Sequence, residues 1–403
     1  MDHPRPARRG LRGPASPRVG GADALARGPE EPRAAGRRRP RPPPRAARGG
    51  RARRHRPDRS PGAGPVITRR RALVATGLAG AAVVATAGIA LFLGAAPIGA
   101  TDVVRAVLGR SPSEVTGAIV LGLRLPRILL GALAGAGLAV AGTAFQALTR
   151  NPLADPAVLG VASGAALGAV LGQIAGLEGS LLATLGLSAV AFAGALVAAT
   201  AVYLIAASEG RLPIQTLLLA GVITGLFFSA AITLIISLVD FAQLGGILHW
   251  LMGSLGTLGY RPVAVMAVGG AVAVAVIYGE ARALNLLALG EESALQHGVE
   301  AERVKRIVFV AASLLTGLVV AHTGPIGFVG LIVPHGARLA VGSDNRLLIP
   351  VAAGAGATFL VLADTLARLV VRPAELPVGV ITAFCGAPFF IYLLRARLAR
   401  GVR

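Results

Sequence analysis

Residues 145–170 read FQALTRNPLADPAVLGVASGAALGAV. Two apolar, glycine-rich runs meet at a polar segment, 150–156, that holds Arg150, Asn151, Asp155 and two prolines. Proline disfavours α-helix in the residue before it, so Pro152 and Pro156 shape a corner, and Asp155 is placed to cap the run that follows. Runs of this length cross a bilayer as helices, the open-ended structure whose backbone polar groups are satisfied in lipid. The pattern recurs along the chain. Ten such runs lie at 72–94, 127–148, 157–175, 181–207, 214–238, 262–279, 304–322, 326–340, 348–371 and 377–396, the eighth of them short. A further piece, LGGILHWLMGSLG at 244–256, is too short to cross and reads as a re-entrant or interfacial helix. The expected fold is therefore an all-α membrane protein with about ten transmembrane helices.

Composition agrees. Of 403 residues, 54% are hydrophobic and 15% charged, with a mean hydropathy of +0.69, far from the balance of a soluble domain. The net charge of +21 looks like a nucleic-acid footprint until it is located. Residues 1–71 hold 21 arginines against five acids, a net +16, which leaves +5 for the other 332 residues. Residues 1–65 lack the apolar content of a core and read as a disordered Arg/Pro-rich tail, with the membrane domain at 66–403. Two readings of the tail stay open: a basic arm attracted to anionic lipid or nucleic acid, or a dispensable extension translated from an upstream start codon. Nucleic acid is not expected as a partner of the membrane domain; lipid is.

Ten crossings put both termini on one side, and the positive-inside rule makes that side the cytoplasm. The exceptions are then Arg105, Arg110, Arg124, Arg127, Arg261, Arg368 and Arg372, which fall outside. Gly131 and Gly135, and the stripe Gly164, Gly168, Gly172, are spaced for close helix packing. LPIQTLLLAGVITG at 212–225 and LPVGVITAFCG at 376–386 open the fifth and tenth runs from opposite faces, a faint sign of an inverted repeat.

The chemistry-bearing residues exclude more than they assign. The sequence has no G-x-x-x-x-G-K-[ST], and its one lysine, Lys305, lies in ERVKRI, so ATP hydrolysis by a P-loop belongs to a partner if it occurs. Asp364 is the one candidate for an ion-coupling group inside the bilayer, but Arg368 stands four residues on and can pair with it. His249, His297, His322 and His335 show no metal-ligand spacing. Ser163 and Ser254 lack an identifiable base for serine hydrolase chemistry. Cys385, alone, allows no disulfide and reads as a packing residue. The loop LNLLALGEESALQHGVEAERVKR reads as two short helices: apolar Leu284, Leu287 and Leu289, a break at Gly290, then 291–297 before Gly298. Such a pair suits either insertion into a groove on a soluble partner or a solvated loop.

Seven ordered blocks resemble a known family: residues 123–169, LLLAGV at 217–222, WLMGSL at 250–255, 284–299, GPIGFVGLIVPHGARLAVGSDNRLLIP at 324–350, LADTLAR at 362–368 and 374–394. Together they are similar to the FecCD-type permease subunits of bacterial ABC importers for iron-siderophore, haem and vitamin B12, over about 72–397. The resemblance implies the fold of the vitamin B12 importer permease, in a homodimer with a central pathway. It also implies two ATP-binding cassette ATPase subunits that carry ATP and Mg, an external solute-binding protein, and no cofactor or metal on this chain. By the same resemblance, Leu287, Leu289, Gly290, Glu291, Glu292, Ala294 and Gly298 belong to helices that couple to the ATPase. Asn151 and Leu153, with Pro213 and Ile214 where the vitamin B12 permease has small hydroxyl residues, form a cytoplasmic gate. Arg124, Arg127 and Arg368 meet glutamates of the binding protein. The function implied is a non-catalytic permease for a bulky metal chelate in the bacterial plasma membrane, with an iron-siderophore before haem and a cobalamin. The competing class is an ion-coupled secondary carrier working alone.

Overall fold

The computed structural model describes residues 68–94, 96–176, 183–256, 259–371 and 374–401. The expected tail, 1–65, and Arg372 lie outside them. Each of the ten apolar runs is a helix: α1 (Arg69–Phe92), α4 (Leu125–Leu148), α5 (Val161–Ile174), α6 (Ala183–Ala206), α7 (Ile214–Leu238), α9 (Arg261–Gly279), α12 (Ala301–Thr323), α13 (Val329–Val341), α14 (Asn345–Leu369) and α15 (Val378–Gly401). Five short helices complete the chain order: α2 (Ala100–Val107), α3 (Glu114–Gly117), α8 (Phe241–Leu251), α10 (Ala281–Leu289) and α11 (Glu291–Gln296). No strand occurs among the described residues; Ser208 and Arg211 form one isolated bridge.

Among the described residues, seven helices are long and apolar enough to cross a membrane, and three apolar helices are shorter. The 13 residues of α13 rise about 20 Å at 1.5 Å each, against a hydrocarbon core of about 30 Å. This run starts late because Gly324 (φ 66°) and Phe328 (φ 69°) hold the preceding segment out of the helix. Phe328 is the N-cap of α13 and a non-glycine in the left-handed region. The predicted interfacial piece is α8, which starts three residues and ends five residues before the predicted bounds. Residues 118–124, before α4, form a π-helical stretch, which widens the backbone ahead of Pro126.

α4 and α12 are the central helices, with most of their span windows buried at 78% and 72%, whereas α1 is 6% buried and faces outward. The apolar side chains of α1 have no aqueous surface to avoid in lipid, so its exposure carries no penalty. α4 lies along α14, and α5 along α6, where small residues let backbones touch. A methyl group on Gly135 would enter the Gly356 carbonyl, and one on Gly356 would enter the Gly135 carbonyl; Gly164 and Gly194 oppose each other the same way. Gly135→Val should therefore push α4 off α14 and lower the melting temperature of the purified protein by several degrees. A variant that melts like the parent would show that the close approach contributes nothing to stability.

Cys385 is exposed, not packed as its apolar neighbours suggested. Its helix turns that position away from the chain's own core.

Candidate functional site

The residues singled out by sequence collect at two opposite ends of the long helices. At the first end lie the C-terminus of α4, the corner after it, the start of α7, and the α10–α11 pair. Arg150 takes a left-handed conformation (φ 52°), which turns the chain out of α4. Asn151 Oδ1 then accepts from Leu153 N–H at 3.0 Å and the Asn151 carbonyl accepts from Ala154 N–H at 3.1 Å, so the corner is closed by its own bonds. Asp155 Oδ1 accepts from Ala157 N–H at 2.9 Å. The expected cap thus serves the one-turn 3-10 helix Pro156–Leu159, not α5, which starts beyond the left-handed Gly160. Burial raises the Asp155 carboxyl above its ordinary range, and hydrogen bonds from Ala157 and Phe328 N–H oppose that rise. Asn151 is exposed and Leu153 half-buried; across the end, Pro213 is exposed and Ile214 half-buried.

The α10–α11 pair breaks at Gly290, whose φ of 128° only glycine adopts easily. Leu284 and Leu287 are buried against Phe145, Leu148, Leu212, Leu217 and Ala294. One apolar cluster therefore lies beneath the corner, the start of α7 and both short helices. Leu289 and Leu295, by contrast, are 73% and 67% exposed and flank the glycine on the outer surface. Glu292 and Gly298 are exposed too. Asn285 of α10 donates to Asp344 Oδ1 at 2.7 Å and accepts from both Asn345 N–H and Asn345 Nδ2 at 2.9 Å, which fastens α10 to the start of α14. The Arg346 side chain holds the Asp344 carboxyl below its ordinary range.

At the opposite end, Arg124, Arg127 and Arg368 come together, but inward. Arg124 is 5% exposed and donates to the carbonyls of Leu91 and Ala96, with its guanidinium packed against Gly94. Arg127 gives Nε and Nη2 to Asp364 Oδ1 at 3.0 and 2.9 Å, and Nη1 to Glu375 at 2.6 Å. Arg368 gives Nε to Asp364 Oδ2 at 3.0 Å and Nη1 to the Leu93 carbonyl at 2.9 Å. Asp364, 2% exposed, thus ties α4 to its own helix, α14, through Arg127, while Arg368 holds it from within α14. The expected Asp364–Arg368 pair is present, and Arg127 as its third member is visible only in the fold. A cavity of about 850 Å³ opens beside the clamp, lined among others by Arg127, Glu375, His249, Trp250 and His322. No group of three or more His, Cys, Asp or Glu suited to a metal ion occurs among the described residues.

The corner at 150–156 and the start of α7 lie over one apolar cluster that they share with the broken helix pair α10–α11. Residues 72–396 match the FecCD transport family. The chain belongs to that family. It is 43% identical over 289 residues to the cobalamin import system permease of Halobacterium salinarum, covering 72% of this chain and 76% of that one. The hemin transport system permease of Yersinia pestis is 40% identical, over 68% of this chain and 83% of its own. The Fe(3+)-citrate import system permease of Bacillus subtilis is 38% identical, over 69% and 81%. A solved metal-chelate type ABC transporter in an inward-facing conformation superposes with a TM-score of 0.71 at 31% identity, covering 80% of this chain and 98% of that one. The chain is accordingly an ABC importer permease, a multi-pass membrane protein with the importer permease fold.

Proposed function

We propose that this permease imports a bulky metal chelate as a homodimer, with two ATPase subunits on the cytoplasmic face and a solute-binding protein outside. The observation that carries the reading is the α10–α11 pair. Its inner leucines are fixed in the apolar cluster under both gate segments, while Leu289 and Leu295 stand exposed for a partner. Exposed leucines on short helices, backed by a rigid core, suit insertion into a groove on a soluble protein. With no P-loop in the sequence, ATP and its Mg belong to that partner, and this chain acts as a conduit, not a catalyst. The end bearing α10 and α11 is then cytoplasmic, with both termini, and the arginine clamp faces outward in the plasma membrane.

Asn151 and Leu153 narrow the pathway with their dimer mates, backed by Pro213 and Ile214. The corner's internal hydrogen bonds keep these side chains in place without help from substrate. Asn151→Ala with Leu153→Ala should raise leak of substrate through the nucleotide-free transporter in liposomes several-fold; a tight double variant would return the corner to being only a turn.

At the outer end, burial of Arg124 and Arg368 leaves Arg127 as the cation with an exposed partner. Carboxylates of the binding protein would compete with Glu375 for Arg127 Nη1, and Arg124 and Arg368 would add long-range attraction that steers encounter. The cargo we propose first is an iron-siderophore, within a family whose relatives carry cobalamin, hemin and ferric citrate in their names. Uptake by proteoliposomes holding the complete importer, measured for an iron-siderophore, hemin and cobalamin in parallel, tests it. Preferential uptake of hemin or cobalamin would replace the siderophore while leaving the importer reading intact.

A further inference from the structure

Lys305, the single lysine of the chain, is 4% exposed near the start of α12. A buried ammonium is costly unless paired, and this one has two carboxylates: Glu291 Oε1 of α11 at 2.8 Å and Glu302 Oε1 of its own helix at 2.9 Å. Each carboxylate reaches further. Glu302 Oε2 accepts the backbone N–H of Leu212 at 2.7 Å, and Leu212 is the residue before Pro213. Glu291 Oε1 also faces Arg150 Nη2 at 3.7 Å, and Arg150 is the residue before Asn151. Lys305 and Arg150 thus meet Glu291 and Glu302 where four separate elements come together, and Arg211 adds a further positive charge near Glu302.

We propose that Lys305 is a positioning residue: with Glu291 and Glu302 it forms the joint that carries displacement of α11 to both gate segments. The inference rests on the importer reading, in which α11 touches the ATPase. Its two arms are unequal. The arm to Leu212 is short and partly buried, so it holds the start of α7 to α12 as one body. The arm to Arg150 is half-exposed and longer, and can break and re-form as the corner moves. Beneath both, Ala294, Leu212, Leu148 and Val304 share the apolar cluster, so a shift of α11 that breaks the polar joint also disturbs that packing.

The test uses the complete importer with its ATPase in liposomes and reads molecules transported per ATP hydrolysed. The unsubstituted complex comes first: absence of transport there counts against the importer reading itself and not against the joint. Given transport, Lys305→Met should lower the ratio about tenfold, because α11 no longer grips α12, and Lys305→Arg should restore much of it by returning a cation to both carboxylates. Loss of packing alone would lower the melting temperature and the amount of complex without changing the ratio. Should Lys305→Met fail to assemble, Glu302→Gln replaces it: the amide still offers an oxygen to Leu212 but no charge to Lys305, and the ratio should again fall. An unchanged ratio in a well-assembled Lys305→Met or Glu302→Gln importer would overturn the proposal.

Discussion

Asp364→Ala is expected to cost on the order of 3–5 kcal/mol of stability, because it leaves two guanidinium groups in a buried site without their shared carboxylate. Asp364 is 2% exposed and accepts from Arg127 and Arg368, on α4 and α14 respectively. After truncation Arg127 keeps Glu375 and Arg368 keeps the Leu93 carbonyl, so neither cation is wholly orphaned, but their mutual repulsion is no longer balanced. A loss of that size is a large part of the roughly 5–15 kcal/mol that holds a typical domain folded. It would appear as a sharp fall in melting temperature and in monodisperse protein recovered from detergent. Apolar replacement of the whole triad, Asp364→Leu with Arg127→Met and Arg368→Met, should recover most of the stability, since a buried ion cluster is seldom better than well-packed apolar groups. If Asp364→Ala melted like the parent, the clamp would not be holding α4 to α14. The same geometry weakens the case for Asp364 as an ion-coupling group: both of its oxygens are already engaged by arginine side chains.

Leu289→Glu combined with Leu295→Glu is expected to weaken association with the ATPase at least 100-fold, which converts to about 2.7 kcal/mol. Both side chains are more than two-thirds exposed, so the substitutions place charge in water in the isolated permease and leave its melting temperature unchanged. In the complex the same carboxylates would be desolvated in an apolar groove, and a few such central residues dominate interface energies. Co-purification and titration of the purified ATPase measure the change. Unaltered affinity would show that the α10–α11 pair is not the contact surface.

Much of this was legible in the sequence for a physical reason. A helix in lipid must satisfy its backbone internally, so apolar length maps directly onto helices, and all ten runs are helical. The break at Gly290 was legible because a φ of 128° requires glycine. The short α2 and α3 and the π-helical stretch at 118–124 were missed. α2 and α3 are too brief for a period to show, and the stretch continues the apolar pattern of the span it precedes. Charge bias assigned Arg124, Arg127 and Arg368 to one end, but it reports the side of a membrane and not whether a guanidinium turns outward. Spacing could suggest Glu302 with Lys305, three apart on one helix; Leu212, 90 residues away from Glu302, could come only from the fold.

The most direct measurement is substrate uptake by proteoliposomes containing the permease with its ATPase and binding protein, with ATP or an imposed proton gradient as the sole energy source. Uptake that requires all three components and ATP, and that is indifferent to the gradient, is the expected result. Uptake by the permease alone, driven by the gradient without ATP, would contradict it.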